Sequence, residues 1–191
     1  MIITFGGAFN PPTIAHYEIA KHLIKSLPCE QFFYLPVGDL YPKKGLTCGS
    51  HRINMLNLVC DQLEGASVCA IEVNASRVLT TFETLTILQK KHPQSSIAFV
   101  MGADNLNDLA KWQQFAELIK NFKLIIFKRD DLNIEKIIET NFKPYEQQFI
   151  LMEAFGELHV SSTLYREHLM REDLVLTSVS QYIKTHQLYG R

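Results

Sequence analysis

Four short stretches of the chain combine glycines, hydroxyls and cations in ways that suit a phosphate-bearing ligand. The first is Gly6-Gly7-Ala8-Phe9-Asn10-Pro11-Pro12-Thr13-Ile14-Ala15-His16. Paired glycines let backbone N–H groups approach an anion closely, and a helix start beyond them adds positive potential. His16 would stand in the first helical turn. The stretch is neither GxxxxGK[ST] nor GxGxxG. Taken alone, a Gly-Pro turn with an exposed helical histidine explains it slightly better. The second stretch is Pro36 to Gly45, where Lys43 and Lys44 sit between Pro42 and Gly45. Two lysines on such a loop could fold over phosphates, although a solvated pair is the commoner arrangement.

The third stretch is Met101-Gly102-Ala103-Asp104-Asn105. Gly102 permits close approach, and Asp104 could accept from a ribose hydroxyl or an amine, or simply cap a helix. Trp112, the single tryptophan, follows it and could stack on an aromatic ligand or fill the core. The fourth stretch is Ser161-Ser162-Thr163-Leu164-Tyr165-Arg166. Three hydroxyls at a helix start, with Arg166 one turn in, make a second anion cradle, or else a serine cap beside a surface arginine. Each stretch is weak by itself; their co-occurrence raises the odds. Other chemistries fit less well. The seven histidines show no HExxH spacing, and no GxSxG or Cys-His signature appears. No protein metal site is expected.

These loops need elements to position them. Ile2 to Phe5, Phe32 to Val37, Val68 to Val73, Ser96 to Met101, Leu124 to Phe127, Phe149 to Met152 and Leu158 to Val160 read as strands. Helical stripes follow from His16 to Leu27, from Ser50 to Leu63 and from Thr81 to about Lys91, the last opened by the capping box Thr80-Thr81-Phe82-Glu83. A further helical segment holds Trp112, Phe115, Leu118 and Ile119, and helices close the chain after Thr163 and around Val179 to His186. Strand–helix alternation implies a parallel sheet with helices on both faces, an α/β doubly wound fold with a small C-terminal helical part. Ligands of such sheets bind beyond the carboxyl ends of the strands. The four stretches follow Phe5, Val37, Met101 and Val160, so all four belong at that edge.

Composition narrows the classes. The chain has 191 residues, of which 47% are apolar and 20% charged, with a net charge of −1. That supports a single domain over residues 1–191, with neither disorder nor a disulfide scaffold. The absence of a Lys/Arg run argues against nucleic acid, and the longest apolar runs are strand-length, which argues against a membrane span. The start MIITFGGAFN lacks a basic flank and a small-residue cleavage site, and the four cysteines have no CxxC spacing. A cytoplasmic protein with reduced thiols is expected.

Together the motifs resemble the nucleotidylyltransferase superfamily. Thr13-Ile14-Ala15-His16 is similar to its (H/T)xGH loop, and Ser161 to Arg166 to its SSTxxR element. More narrowly, Phe9-Asn10-Pro11, Pro36-Val37-Gly38-Asp39, Tyr41, Lys43-Lys44-Gly45, His51-Arg52, Glu83-Thr84-Leu85, Gly102-Ala103-Asp104, Trp112 and the tail Tyr182 to Tyr189 resemble the nicotinamide/nicotinate mononucleotide adenylyltransferases, in order over nearly the whole chain. Departures are Thr13 for the first histidine, Ala15 for glycine and Tyr165 for an aliphatic residue. The Gly38–Gly45 loop resembles eukaryotic and dual-specificity members, whereas the compact length resembles bacterial ones.

The resemblance implies a Rossmann-like fold of nucleotidylyltransferase type. It implies adenylyl transfer from ATP to nicotinate or nicotinamide mononucleotide in NAD biosynthesis, with Mg²⁺ held mainly by the ATP phosphates. His16, Arg166 and Lys43 would be catalytic. ATP would meet Gly6, Gly7, Ala8, Phe9, Thr13, His16, Gly102, Asp104, Ser161, Ser162, Thr163 and Arg166. The mononucleotide would meet Asn10, Lys43, Lys44, Thr81, Thr84 and Trp112. The free N–H groups at the helix start around Thr80 to Thr84 favour an anion, hence a modest preference for nicotinate. Rivals are another adenylyl- or cytidylyltransferase of the superfamily, such as a phosphopantetheine adenylyltransferase, and a nucleotide-binding sensor without turnover. A homo-oligomer is compatible with all of these.

Overall fold

Alternation of side chains along buried strands dictates a three-layer arrangement, and the computed structural model shows it for the residues it describes: 1–128, 132–153, 160–167 and 171–190. Six strands, β1 (Ile2–Gly7), β2 (Gln31–Pro36), β3 (Ala66–Val68), β4 (Ile97–Met101), β5 (Lys123–Phe127) and β6 (Phe149–Met152), form one sheet in the order β3-β2-β1-β4-β5-β6. Every neighbouring pair is parallel. Successive residues point to opposite faces of a strand. Ile3, Phe5, Ala98, Val100, Ile125 and Phe127 therefore enter one core, and Ile2, Ile97, Phe99, Leu124 and Ile126 the other.

Helices cover both cores. On the first face lie α1 (Ile14–Ser26), burying Ala20 and Leu23, α2 (Gly49–Cys60), burying Met55, Leu56 and Val59, and α7 (Thr177–Thr185), burying Val179 and Ile183. On the second lie α3 (Thr81–Lys91), α4 (Phe115–Asn121) and α5 (Ile134–Asn141), through Leu85, Leu88, Leu118, Ile119, Ile134 and Ile138. The fold is the Rossmann-like doubly wound α/β sheet expected from the sequence. Its strand order reverses direction between β1 and β4, the crevice where such sheets take ligands.

Three local expectations change. The third strand is not Val68 to Val73: β3 stops at Val68, and the residues after Ala70 form a turn in which Asn74 N–H donates to Ala70 O at 3.0 Å. The segment around Trp112 is not one helix. A 3₁₀ helix spans Ala103–Lys111, Trp112 is extended, and Gln114 in the left-handed region (φ 60°) starts α4. Helix α5 arises where the sequence pattern assigns no element, capped by the Asn133 side chain accepting from Lys136 N–H at 3.0 Å. Of the expected strand Leu158 to Val160, residues 158 and 159 lie outside the described residues, and Val160 is in no strand. The helix after Thr163 is α6 (Ser162–Glu167).

Candidate active site

The loop from β1 into α1 is built around His16. Phe9 adopts φ 46°, a region uncommon for a bulky residue, and this turns its ring inward until it is 1% exposed. Phe9 and Phe5 then lie against the imidazole at 5.0 and 5.7 Å between centroids, and Tyr34 packs on both phenylalanines. The Tyr34 hydroxyl donates to His16 O at 2.9 Å. Thr13 caps α1, and His16 takes the place of the usual acid in a capping box: its Nδ1 accepts from Thr13 N–H at 2.8 Å. A backbone N–H can only donate, so Nδ1 is an acceptor and the proton of the neutral ring sits on Nε2. Burial in the aromatic cage, helped by the charge of Lys43, lowers the His16 pKa to about 4. At neutral pH His16 is therefore an uncharged Nε2–H donor.

Two cations accompany it. Arg166 donates to Asn10 O at 2.7 Å and to Thr163 Oγ1 at 3.1 Å. Lys43 has its pKa lowered by partial burial and by the Arg166 charge. Neither has a carboxylate partner among the described residues. Cations held together without a counter-charge suit an anion with several oxygens. Lys43 and Lys44 are both exposed at the surface of the loop.

Beside this cluster a cavity of about 490 Å³ opens over the ends of β1, β2 and β4, with Gly6, Gly7, Gly102, Trp112 and Thr81 in its wall. A Cβ on Gly6 would come within 2.7 Å of the Phe99 ring. The glycine thus lets Phe99 lie flat under the cavity, and Trp112 meets Phe99 edge-on at 6.4 Å. The start of α3 is tied to the same place, because Thr80 Oγ1 donates to Gln114 Oε1 at 2.8 Å. The capping box closes as expected, with Glu83 N–H donating to Thr80 Oγ1 and Thr80 N–H to Glu83 Oε2. Arg77 pairs with Glu83 and holds that carboxyl at about 2. The backbone N–H groups of Thr81 and Phe82 have no partner among the described residues.

Several expected ligand contacts have other occupations. Asn10 is 1% exposed: it donates to Gly45 O at 2.8 Å and accepts from Thr47 N–H and Tyr189 Oη. It is buried as a latch between loops. Thr84 is fully buried and donates to Glu72 Oε1 at 2.9 Å, so it too is removed from direct contact. Thr13 and the Phe9 ring act through His16. Ala8 O accepts from Arg52. Ser162 Oγ donates to Pro11 O at 2.7 Å, Thr163 receives Arg166, and Ser161 Oγ accepts from Leu164 N–H at 3.1 Å. The three hydroxyls chiefly fix α6 and Arg166 against the first loop. Asp104 is exposed, and Asn105, not Asp104, lines the cavity.

Two residues matter here beyond the site residues expected from the sequence, in which Arg52 enters only through the His51-Arg52 resemblance and Glu72 is not named. Arg52 is fully buried and binds Thr47 O, Ala8 O and the Asp39 carboxylate at 2.7, 3.2 and 2.8 Å, pinning the Lys43 loop to the first loop. Its signal was a lone arginine on the face of α2 shared with Met55, Leu56 and Val59. Glu72 lines the cavity, and burial pushes its carboxyl up to about 7 against the opposing pull of Thr84 and Arg52. No cluster of three or more His, Cys, Asp or Glu suited to a metal occurs among the described residues, and no described helix is long and apolar enough to cross a membrane.

Comparison with known proteins gives the family and the fold. The cytidylyltransferase-like family profile matches residues 4–168. A relative from Acholeplasma laidlawii, described as a probable nicotinate-nucleotide adenylyltransferase, is 28% identical over 99% of this chain and 97% of its own. The nicotinic acid mononucleotide adenylyltransferase of Plasmodium falciparum has the same fold. Its complex with APC superposes with a TM-score of 0.78 at 22% identity, covering 98% of this chain and 96% of that one. Its complex with NaAD gives 0.79 at the same identity and coverage.

Proposed function

The chain belongs to the cytidylyltransferase-like family, and from that premise we propose that it is an adenylyltransferase of NAD biosynthesis, joining ATP to nicotinate or nicotinamide mononucleotide. Residues 1–191 are read as one such domain. The observation that carries this is the convergence of a neutral histidine donor and two cations, without a carboxylate partner among the described residues, next to a cavity walled by glycine backbone and tryptophan. The names of the Acholeplasma and Plasmodium proteins support the same substrates.

The acceptor phosphate is already ionised at neutral pH, so no general base is needed. One of its oxygens attacks the α-phosphorus of ATP; that bond forms as the bond to the bridging oxygen breaks, and the electron pair leaves with pyrophosphate. Charge grows on the α-phosphate oxygens and on the leaving group. His16 Nε2–H is oriented by Thr13 before substrate arrives, so donating to that charge costs no reorganisation. Arg166 and Lys43 offset the charge of the triphosphate and align it. Mg²⁺ fits as a companion of the triphosphate, because the side chains gathered around His16 are cations and not oxygen ligands; when bound it neutralises phosphate charge. The triphosphate would lie against Gly6, Gly7, Gly102 and the hydroxyl of Ser161.

The pyridine ring is assigned to Trp112, and the free N–H groups of Thr81 and Phe82 favour a carboxylate on that ring. The enzyme is therefore expected to use both mononucleotides with a modest preference for nicotinate. Incubation with ATP, Mg²⁺ and each acceptor, including phosphopantetheine, scored for pyrophosphate and for the dinucleotide, tests the reading. Dinucleotide from the pyridine mononucleotides is the expected result. Turnover with phosphopantetheine alone, or binding of ATP without pyrophosphate release, would replace it by one of the rivals.

A further inference from the structure

Among the described residues, Glu72 is the only charged side chain in the wall of the cavity. It comes from the turn after β3, and Thr84, one turn into α3, holds it beside that helix start by donating to Oε1 at 2.9 Å. Oε2 has no hydrogen-bond partner among the described residues and is not sealed from the cavity. Thr81 also lines the cavity, and at that helix start the N–H groups of Thr81 and Phe82 have no partner among the described residues. A pair of donors that attracts an anion thus stands next to a carboxyl that, when ionised, repels one.

We propose that Glu72 is a specificity-determining residue that sets the choice between a carboxylate-bearing and an amide-bearing pyridine mononucleotide, and that it makes this choice depend on pH. The proposal rests on the reading of the chain as a pyridine mononucleotide adenylyltransferase. A protonated Glu72 can donate to a carboxylate on the ring, leaving the helix start to favour the acid. An ionised Glu72 repels that carboxylate and accepts from the N–H₂ of an amide. The groups that act on Glu72 are the Thr84 hydroxyl from α3 and the Arg52 guanidinium from α2; both favour ionisation, and burial opposes it. The carboxyl, poised at about 7, changes charge within the neutral range. Only the ring substituent differs between the two mononucleotides, so the titration of their shared phosphate cancels in the ratio of their kcat/KM values.

The experiment measures kcat/KM and, by calorimetry, Kd for both mononucleotides from pH 6 to 8.5, on the wild type and on Glu72→Gln. Gln keeps an acceptor for Thr84, and a thermal melt verifies that the variant is folded. In the wild type the acid-to-amide ratio should fall roughly tenfold over that range, equivalent to about 1.4 kcal/mol. In Glu72→Gln the ratio should be flat and should stand at or above the low-pH value of the wild type. A flat wild-type ratio, or a variant with the wild-type slope, overturns the role of Glu72 while leaving the adenylyl-transfer reading intact. A Kd ratio that follows the expected pattern without any dinucleotide formed would instead sustain Glu72 and overturn the reading as an enzyme.

Discussion

The two halves of the site are built on opposite principles. On the proposed transfer side, His16 in the first turn of α1, Lys43 in the loop after β2 and Arg166 in α6 come from parts far apart in the chain, and hydrogen bonds to backbone carbonyls clamp these segments together. Arg166 grips Asn10 O, Ser162 grips Pro11 O, and Arg52 grips Ala8 O and Thr47 O. On the acceptor side, the cavity is shaped by Phe99, Trp112 and glycine backbone, with few polar groups. Phosphoryl chemistry needs fixed donors where charge develops, and a backbone clamp supplies them without mobile parts. Recognition of a flat ring needs area, with a polar corner to choose among rings.

Substitutions should therefore separate the two halves, first and most strongly on the transfer side. His16→Ala is expected to lower kcat by about 2.7–4 kcal/mol of transition-state stabilisation while leaving the KM for ATP nearly unchanged. Steady-state kinetics decides this; a kcat near wild type would remove His16 from the chemistry. Arg166→Ala should cost roughly 1.5–3 kcal/mol, because it removes a charged donor. Part of this loss should appear in the KM for ATP, since arginine can meet phosphates in the ground state too. Unchanged kcat and KM in that variant would make Arg166 only a clamp.

Across the boundary, Trp112→Ala should raise the KM for the mononucleotide by the equivalent of about 1–3 kcal/mol, the usual worth of stacking a ring on an aromatic face. The KM for ATP should stay close to wild type. Half-burial and the edge contact with Phe99 leave an indole face available to the cavity. If instead the ATP constant moves, or the variant loses stability without any change in either KM, the tryptophan belongs to the core and the comparison between the two halves fails.

The passage that carries His16 was more legible in the sequence than the turn that carries Glu72, and the reason is local. Gly6 to His16 is one contiguous strand–turn–helix passage, so its residue types show the turn and put His16 in the first turn of the helix, as observed. Strands β1, β2, β4 and β5 were legible because a strand covered on both faces reads as an unbroken apolar run. Glu72 was hidden by such a run: Ile71 and Val73 flank it, so the pattern suggests a strand, while the chain in fact turns. Its importance comes from burial against Thr84 and Arg52, which no local pattern encodes. Asn10 and Thr84 show the converse. Their types suit a ligand, yet both are buried and their side chains are engaged by tertiary partners. Helix α5 was missed because its eight residues hold a short apolar stripe, Ile134 and Ile138, with little else to mark it.

The smallest effect expected is also the one that tests both halves at once. His16 has its pKa lowered to about 4 in the fold, against 6.5 when unfolded, so its contribution to stability is present above pH 6.5 and is lost as pH falls towards 4. Glu72 is raised to about 7 from 4.5, so its contribution is present below pH 4.5 and is lost as pH rises through 7. Between pH 4.5 and 6.5 the two slopes are opposite in sign, and each group is worth on the order of 2 kcal/mol, less than its shift alone implies because both side chains keep some solvent contact. As far as these two groups decide it, wild-type stability should therefore be nearly flat over that window. Substituting one group unbalances the pair. Relative to wild type, His16→Gln should lose stability as pH rises from 4.5 to 6.5, and Glu72→Gln should gain it. Denaturant unfolding at several pH values, compared through the midpoints, reads out both slopes. Parallel slopes in the two variants would show that at least one of these groups is solvated in the native protein, and its half of the site would then lack the buried donor or acceptor on which its chemistry depends.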